Sequence, residues 1–471
     1  MCALNQQIKM LYILLGILSL GFLIVLFLPL KYDNYKAFVA LSSSSIGFIL
    51  CILLYLNFDS SNLNFQYVSI PAYPLGLDNI SLCFVLLSGF LFPLTLVASW
   101  GPIQTRSYLL CFLGIEILCI LVFSVLDLIG FYVFFEGVLV PMFFLIGIYG
   151  SRARKIRASY FFFLYTLIGS LFLISSIIYV YIHIGTSRYE SLLSCEFTIL
   201  EEKFLWLGFF MSFAVKVPLI PFHIWLPEAH VEAPTAGSAI LAGVLLKFGI
   251  YGFLRFSLPL FPNASLYFSP FIFCLGIIGV IYTSLTAIRQ TDLKRIIAYT
   301  SVAHMNLVVI GIFSNSTIGI HGCIFQSISH GFVSAALFLI IGVLYDRYHT
   351  RFFNHYGGLI HTIPLFGLFF VFFTIANIAI PGTSGFIGEF ILFIGIFSLN
   401  PILCFFGATS IVLGGIYSLC LCNRILYANL KTQYLKVFTD LNNCESFVMI
   451  ALAFVTLFFG LFPNYILNLI N

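Results

Sequence analysis

Charge is what this sequence has least of. Asp, Glu, Lys and Arg make up 8% of its 471 residues, while 61% are hydrophobic. A soluble domain carries about a quarter charged residues, and a fold of this length could not cover a water-facing surface with so few. The composition excludes a soluble globular protein and leaves a polytopic membrane protein. The net charge of +4 is small and its basic residues are scattered through short loops. No cluster large enough to grip nucleic acid is encoded.

Other absences narrow the class further. No polar segment is long enough for an extramembrane domain; the longest run roughly over 57–80 and 184–203. There is no GxGxxG and no Walker-type loop, so nothing is placed to hold a nucleotide or a flavin. The 12 cysteines are spread along the apolar stretches without a C-x-x-C, and Cys420 and Cys422 form only a C-x-C. They read as small buried hydrophobes, not as zinc, haem or iron–sulfur ligands. The segment Met1 to Met10 has one Lys and no Arg, unlike a secretory signal or an Arg/Ser-rich transit peptide. A hydrophobic chain without an address points to synthesis in the compartment where it inserts. Its 56 Phe against 6 Met point to an AT-rich genome.

What is there is a series of apolar runs, each near the ~20 residues that cross a bilayer as a helix. Fourteen are predicted, roughly over 10–30, 37–57, 81–100, 107–127, 129–149, 159–183, 204–224, 234–256, 268–288, 295–314, 318–345, 363–399, 401–428 and 445–466. The twelfth is long enough to be kinked or broken. Loops after odd-numbered spans hold 15 of the 21 Lys and Arg, among them Lys31, Lys36, Lys294, Arg351 and Lys436. Only Lys9, Arg188, Lys203 and Arg255 fall on the other side. The positive-inside rule places the odd loops inside and both termini outside. A miscounted span would scramble this split.

Two spans carry helix breakers. Span seven reads AVKVPLIPFHIWLPEAHVEAPT, where Pro218 and Pro221 each remove a backbone donor. Span twelve reads NIAIPGTSGFIGEF, where Pro381 is followed by Gly382, Gly385 and Gly388. Such breaks survive at membrane depth only where protein or water satisfies the freed groups. They lie five spans apart, and an odd shift inverts direction across the membrane. Paired broken helices in inverted repeats point to an ion site near the midplane. The predicted fold is an all-α polytopic membrane protein of about fourteen transmembrane helices. Spans four to eight and nine to thirteen form two inverted five-helix repeats. The expected division is an N-terminal three-helix segment (1–106), a first repeat (107–256), a second repeat (268–428) and a C-terminal helix (429–471).

Titratable residues at bilayer depth are expensive and usually functional. Lys216 lies two residues before the first break, and Lys247 lies in AILAGVLLKFGIYGFL. Glu136 sits alone in LIGFYVFFEGVLVPMFF, and Glu389 lies eight residues after Pro381. A buried carboxylate beside a buried lysine keeps both charged, and moving one partner shifts the other's proton affinity. Glu136 with Lys216 is the expected pair; a purely structural ion pair is the alternative. His304, in IIAYTSVAHMNLVV, and His330, in FQSISHGFVSAALF, can relay protons; packed polar residues are the plainer reading. His223 suits a proton uptake path at the inner interface, and His230 suits that role or a simple loop. Thr300, Ser301, Ser327, Ser329, Thr383 and Ser384 can hold water chains. Glu116, in FLGIEILCILVF, is either an accessory carboxylate or a contact for a neighbouring subunit. Asp78 and Asp127 lie near span ends and need no special reading.

FFEGVLVPMF, FAVKVPLIPFHIWLPEAHVEAPTAGS, LLKFGIYGF, IAYTSVAHMN and PGTSGFIGEF together resemble the antiporter-like subunits of respiratory complex I. The likeness runs from about Asp78 to Leu426, and the seventh-span motif is highly specific. GVLVPMFFLIGIYGSRARKIRASYFFFLYTLIGS looks most like plant and algal mitochondrial members. Glu389 stands where the subunit 2 and subunit 5 siblings usually carry lysine. The resemblance implies a proton-translocating module in the membrane arm of NADH:ubiquinone oxidoreductase, in the mitochondrial inner membrane and encoded in the organelle. It implies that Glu136, Lys216, Lys247 and His304 pass protons to Glu389 as the exit residue. His223, His230 and His330 would lie along the same hydrated axis, while Glu116 falls outside the matching motifs. The implied partners are the other membrane-arm subunits, especially the subunit 2 and subunit 5 siblings, and lipids. NADH, FMN, iron–sulfur clusters and ubiquinone would sit on partner subunits, with no cofactor or metal on this chain. A multisubunit cation/proton antiporter subunit and a passive scaffold stay open beside this reading.

Overall fold

The computed structural model describes residues 2–29, 33–59, 66–68, 74–101, 104–434 and 438–470. Lys31 and Lys436, both used in the charge count, lie outside them. Among the described residues, 12 helices are long and apolar enough to cross a membrane. They correspond to all the expected spans except seven and twelve. Those two are each divided: span seven into Ile199–Lys216 and Trp225–Glu232, span twelve into Pro364–Asn377 and Ser384–Leu399. The expected count of fourteen and both expected breaks are present. A small antiparallel ribbon, Gln66–Val68 with Leu75–Leu77, is added between spans two and three.

Several spans start where a polar side chain caps the first turn. Asp78 accepts from Ser81 N and forms a capping box at span three. Asp127, Asp292, Ser316 and Asn400 accept from the first-turn amides of spans five, ten, eleven and thirteen. In apolar surroundings these end groups have few other partners. Asp78 does more than expected of a span end, since it also pairs with Arg255 at 3.0 Å.

The spans are not equivalent. The apolar stretches of spans eight (Thr235–Leu260) and eleven (Thr317–Tyr348) are fully enclosed by the rest of the chain, against 22% for span thirteen (Pro401–Tyr427). Spans eight and eleven are the innermost, spans ten and three are also mostly enclosed at 83% and 72%, and the outer spans turn apolar faces outward. Span eleven meets the second half of span twelve at backbone distance. A Cβ on Gly395 would lie 2.3 Å from Gly319 Cα, and one on Gly322 would lie 2.5 Å from Leu392 N. Small residues permit this approach where no water drives helices together.

The breaks are satisfied internally. In span seven, Leu219 N reaches back to Ala214 O, which frees Val215 O; the Trp225 indole donates to it at 2.9 Å. Asn306 of span ten donates to Pro218 O at 3.4 Å. In span twelve the helix is interrupted at Ala379 (φ 62°) and Gly382 (φ 97°) before it resumes at Ser384. One expectation is corrected by burial. Lys36, Lys294 and Arg351, counted among loop cations, are fully buried; Lys294 donates to Ala233 O, and Arg351 to Val231 O and Ser151 Oγ.

Candidate functional site

The second break places Glu389 on the second turn of Ser384–Leu399, facing spans ten and eleven. Its Oε1 lies 3.0 Å from His304 Nδ1 and accepts from Gln326 Nε2 at 3.2 Å. Gln326 was not singled out in the sequence; it is the residue that holds the carboxylate in place from span eleven. A cavity of about 10 Å³, near the size of one water, is lined by His304, Gln326, His330, Asn377 and Glu389. Ser329 and Ser384 share a hydrogen bond of 2.8 Å on its wall. Thr300, Ser301, Ser327 and Thr383 instead turn their hydroxyls back onto carbonyls of the preceding turn.

Lys247 is enclosed completely. Its ammonium donates to Ala242 O at 2.7 Å and lies 3.1 Å from His330 Nδ1. Residues Leu241–Leu245 form a π-helical turn just before it. A π-turn widens the ladder to five residues, and Lys247 folds back onto the carbonyl five residues behind it. The histidine rings of His330 and His304 are 5.8 Å apart, centre to centre. Lys247, His330, His304 and Glu389 therefore form one buried polar run across spans eight, eleven, ten and twelve.

The surroundings of Glu136 and Lys216 are looser. Lys216 is the last helical residue before the break and is buried. Its ammonium sits 4.5 Å from the centre of the Phe135 ring, a cation–π contact. Glu136 follows Phe135 and feels the charge of Lys216. Both its oxygens are buried without a hydrogen bond among the described residues. The expected pair is thus close enough to interact electrostatically but forms no direct ion pair, with Phe135 against the ammonium. Glu116 is also buried without a hydrogen bond. It faces span two, where a Cβ on Gly47 would lie 3.8 Å from Oε1. Its carboxylate is therefore not at a surface open to a neighbour.

His223 lies in the broken stretch of span seven, with its ring 6.0 Å from Tyr282 and 6.4 Å from Tyr299. His230 is not a loop residue. It is on the helix Trp225–Glu232, fully buried, and stacked on Phe338 at 4.5 Å. Both of its ring nitrogens lack partners among the described residues.

Residues 125–414 match the family described as NADH:quinone oxidoreductase/Mrp antiporter, TM. The NADH-ubiquinone oxidoreductase chain 4 of Arabidopsis thaliana is 51% identical over 459 residues, covering 95% of this chain and 93% of the relative. The chain belongs to the NADH:quinone oxidoreductase/Mrp antiporter family. Chain 4 of Chondrus crispus, covering 94% of its length and 96% of this chain, is 50% identical. These sources agree with the expected plant and algal likeness. A chain of the respiratory complex I of Thermus thermophilus superposes with a TM-score of 0.89 at 27% identity, over 98% of both chains. A chain of the archaeal membrane-bound sulfane sulfur reductase shares the fold, with a TM-score of 0.85 at 21% identity over 95% of this chain and 75% of its own. The family match encloses Glu136, Lys216, Lys247, His304, His330 and Glu389 and leaves Glu116 outside.

Proposed function

We propose that this chain is a proton-translocating membrane-arm subunit of NADH:ubiquinone oxidoreductase in the mitochondrial inner membrane. The observation that carries this reading is the buried run from Lys247 through His330 and His304 to Glu389. Each member can hold and release a proton, and successive members come from different spans, so the run crosses the bundle sideways. NADH, FMN, iron–sulfur clusters and ubiquinone act on partner subunits, among them neighbours of the subunit 2 and subunit 5 kinds. A change relayed from those partners alters the coupling between Glu136 and Lys216. Lys216 then drives a proton from Lys247 along the run to Glu389, which releases it on the outer side. The repeats 107–256 and 268–428 supply the two halves of this path, flanked by 1–106 and 429–471. His223 lies where uptake toward Lys216 would start.

The test is Lys216→Met in the assembled complex, in sealed membrane vesicles. NADH oxidation coupled to proton pumping is expected to fall sharply. Normal pumping by an assembled variant overturns the reading in favour of a scaffold. Na⁺ or K⁺ exchange by the purified complex, without NADH–quinone activity travelling with the chain, overturns it in favour of a cation/proton antiporter.

A further inference from the structure

Lys247 and His330 are approached from the inner side by a second set of buried polar groups. Lys294, in the first turn of span ten, is fully buried. Its ammonium donates to Ala233 O at 3.0 Å and reaches Ser238 Oγ at 3.5 Å, both neutral acceptors. Ser238 Oγ donates in turn to His230 O at 3.1 Å. His230 feels the charges of Lys294 and Lys247, and His330 feels that of His230; the His230 ring stacks on Phe338 of span eleven at 4.5 Å. Both of its ring nitrogens are without a hydrogen-bond partner among the described residues.

The inner end of this set opens at Asp346, in the last turn of span eleven, whose side chain is exposed. Asp346 feels the charges of Lys294, Glu445, His349 and Arg347. It lines a cavity of about 20 Å³ with Glu445 and Thr235, enough for about one bridging water. Glu445 is committed to Arg347 at 2.6 Å and to the amide of Asn442 at 2.8 Å. Asp346 has no such partner among the described residues, which leaves it as the available carboxylate. Thr235 reaches this wall because span eleven has Gly342 there; a Cβ would lie 2.5 Å from Thr235 Cγ2.

We propose that Asp346, Lys294 and His230 carry protons from the inner surface to Lys247 and His330, a feed into the middle of the axis separate from Glu136 and Lys216. It rests on the proton-translocating reading above. The Lys294 ammonium gives a proton to a ring nitrogen of His230, and the amine left behind is reprotonated by Asp346, which takes its proton from water. The His230 imidazolium gives one to the Lys247–His330 pair. Each donor returns to its starting form, so one proton moves inward and no bond other than to hydrogen changes.

Asp346→Asn in the assembled complex is expected to slow NADH-driven proton pumping several-fold, and Asp346→Glu to restore it. Rescue by glutamate separates a proton carrier from a residue needed only for packing. Lys247→Met, run beside it, tests the underlying reading. If Lys247→Met stops pumping while Asp346→Asn pumps at the normal rate, the inner feed is wrong and the relay stands. If Lys247→Met pumps normally, the relay itself falls. Should Asp346→Asn fail to assemble, His230→Asn takes its place, and normal pumping by that variant overturns the proposal.

Discussion

His304 and Glu389 meet at 3.0 Å although one comes from span ten and the other follows the break in span twelve. The contact exists because Ala379 and Gly382 turn the chain and restart the helix at Ser384, which aims Glu389 inward. Glu389→Gln keeps the size and the hydrogen bond to Gln326 within reach but removes the group that takes a proton. Pumping in the assembled complex should fall by about tenfold or more, since a positioned acid or base contributes roughly 10²–10⁴. Sealed vesicles energised with NADH give the measurement. A variant that pumps normally removes Glu389 from the path.

Lys247 poses a sharper choice between charge and proton exchange. Arginine keeps the positive charge but does not give up its proton in proteins. Methionine keeps the length and loses both. A relay predicts that Lys247→Arg and Lys247→Met are alike in stopping NADH-driven proton movement. If the arginine variant pumps while the methionine variant does not, Lys247 is a fixed charge facing His330 and not a carrier.

Much of this was legible in the sequence for a simple reason. A bilayer forces each span to declare itself by length and apolarity, and forces each charge within it to have a use. Both broken spans followed from Pro218, Pro221 and Pro381. What the sequence hid depends on rotation and depth. Nothing local said that Lys294 and Arg351 are buried, because a cation near a span end reads the same whether it faces water or a neighbouring helix. Gln326 looked like one more polar residue until its register beneath Glu389 was visible. The π-turn that positions Lys247 has no composition of its own. The pairing of Glu136 with Lys216 was expected from charge alone. The cation–π contact between Phe135 and Lys216 could come only from geometry.

Gly395 offers a test of the packing between spans eleven and twelve. A Cβ there would sit 2.3 Å from Gly319 Cα, backbone against backbone, with no side chain able to yield. Gly395→Ala should cost about 1–3 kcal/mol, the usual range for overpacking, and lower the melting temperature of the detergent-solubilised complex. Gly415→Ala is the control, since nothing lies within 4 Å of the added methyl. Equal melting temperatures for the two variants would mean that spans eleven and twelve are not so closely apposed.

The break in span seven depends on a donor outside the helix ladder. Val215 O, freed when Leu219 N bonds one residue further back, is taken by the Trp225 indole at 2.9 Å. Trp225→Phe keeps an aromatic ring in that buried site and deletes the donor. An unpaired buried carbonyl costs about 1–3 kcal/mol, so the complex should assemble with reduced thermal stability. Val215 is adjacent to Lys216, and a carbonyl searching for a partner would disturb the end of the helix that presents the ammonium. Pumping should therefore fall in Trp225→Phe by more than in a variant that loses an indole hydrogen bond away from the break. The comparison is with Trp206→Phe, which deletes the indole bond to Ser265 at 3.0 Å, further from the break, on the helix that ends at Lys216. Equal pumping losses in the two variants would show that the indole at the break serves stability alone. A loss confined to Trp225→Phe ties the satisfied break to the placement of Lys216.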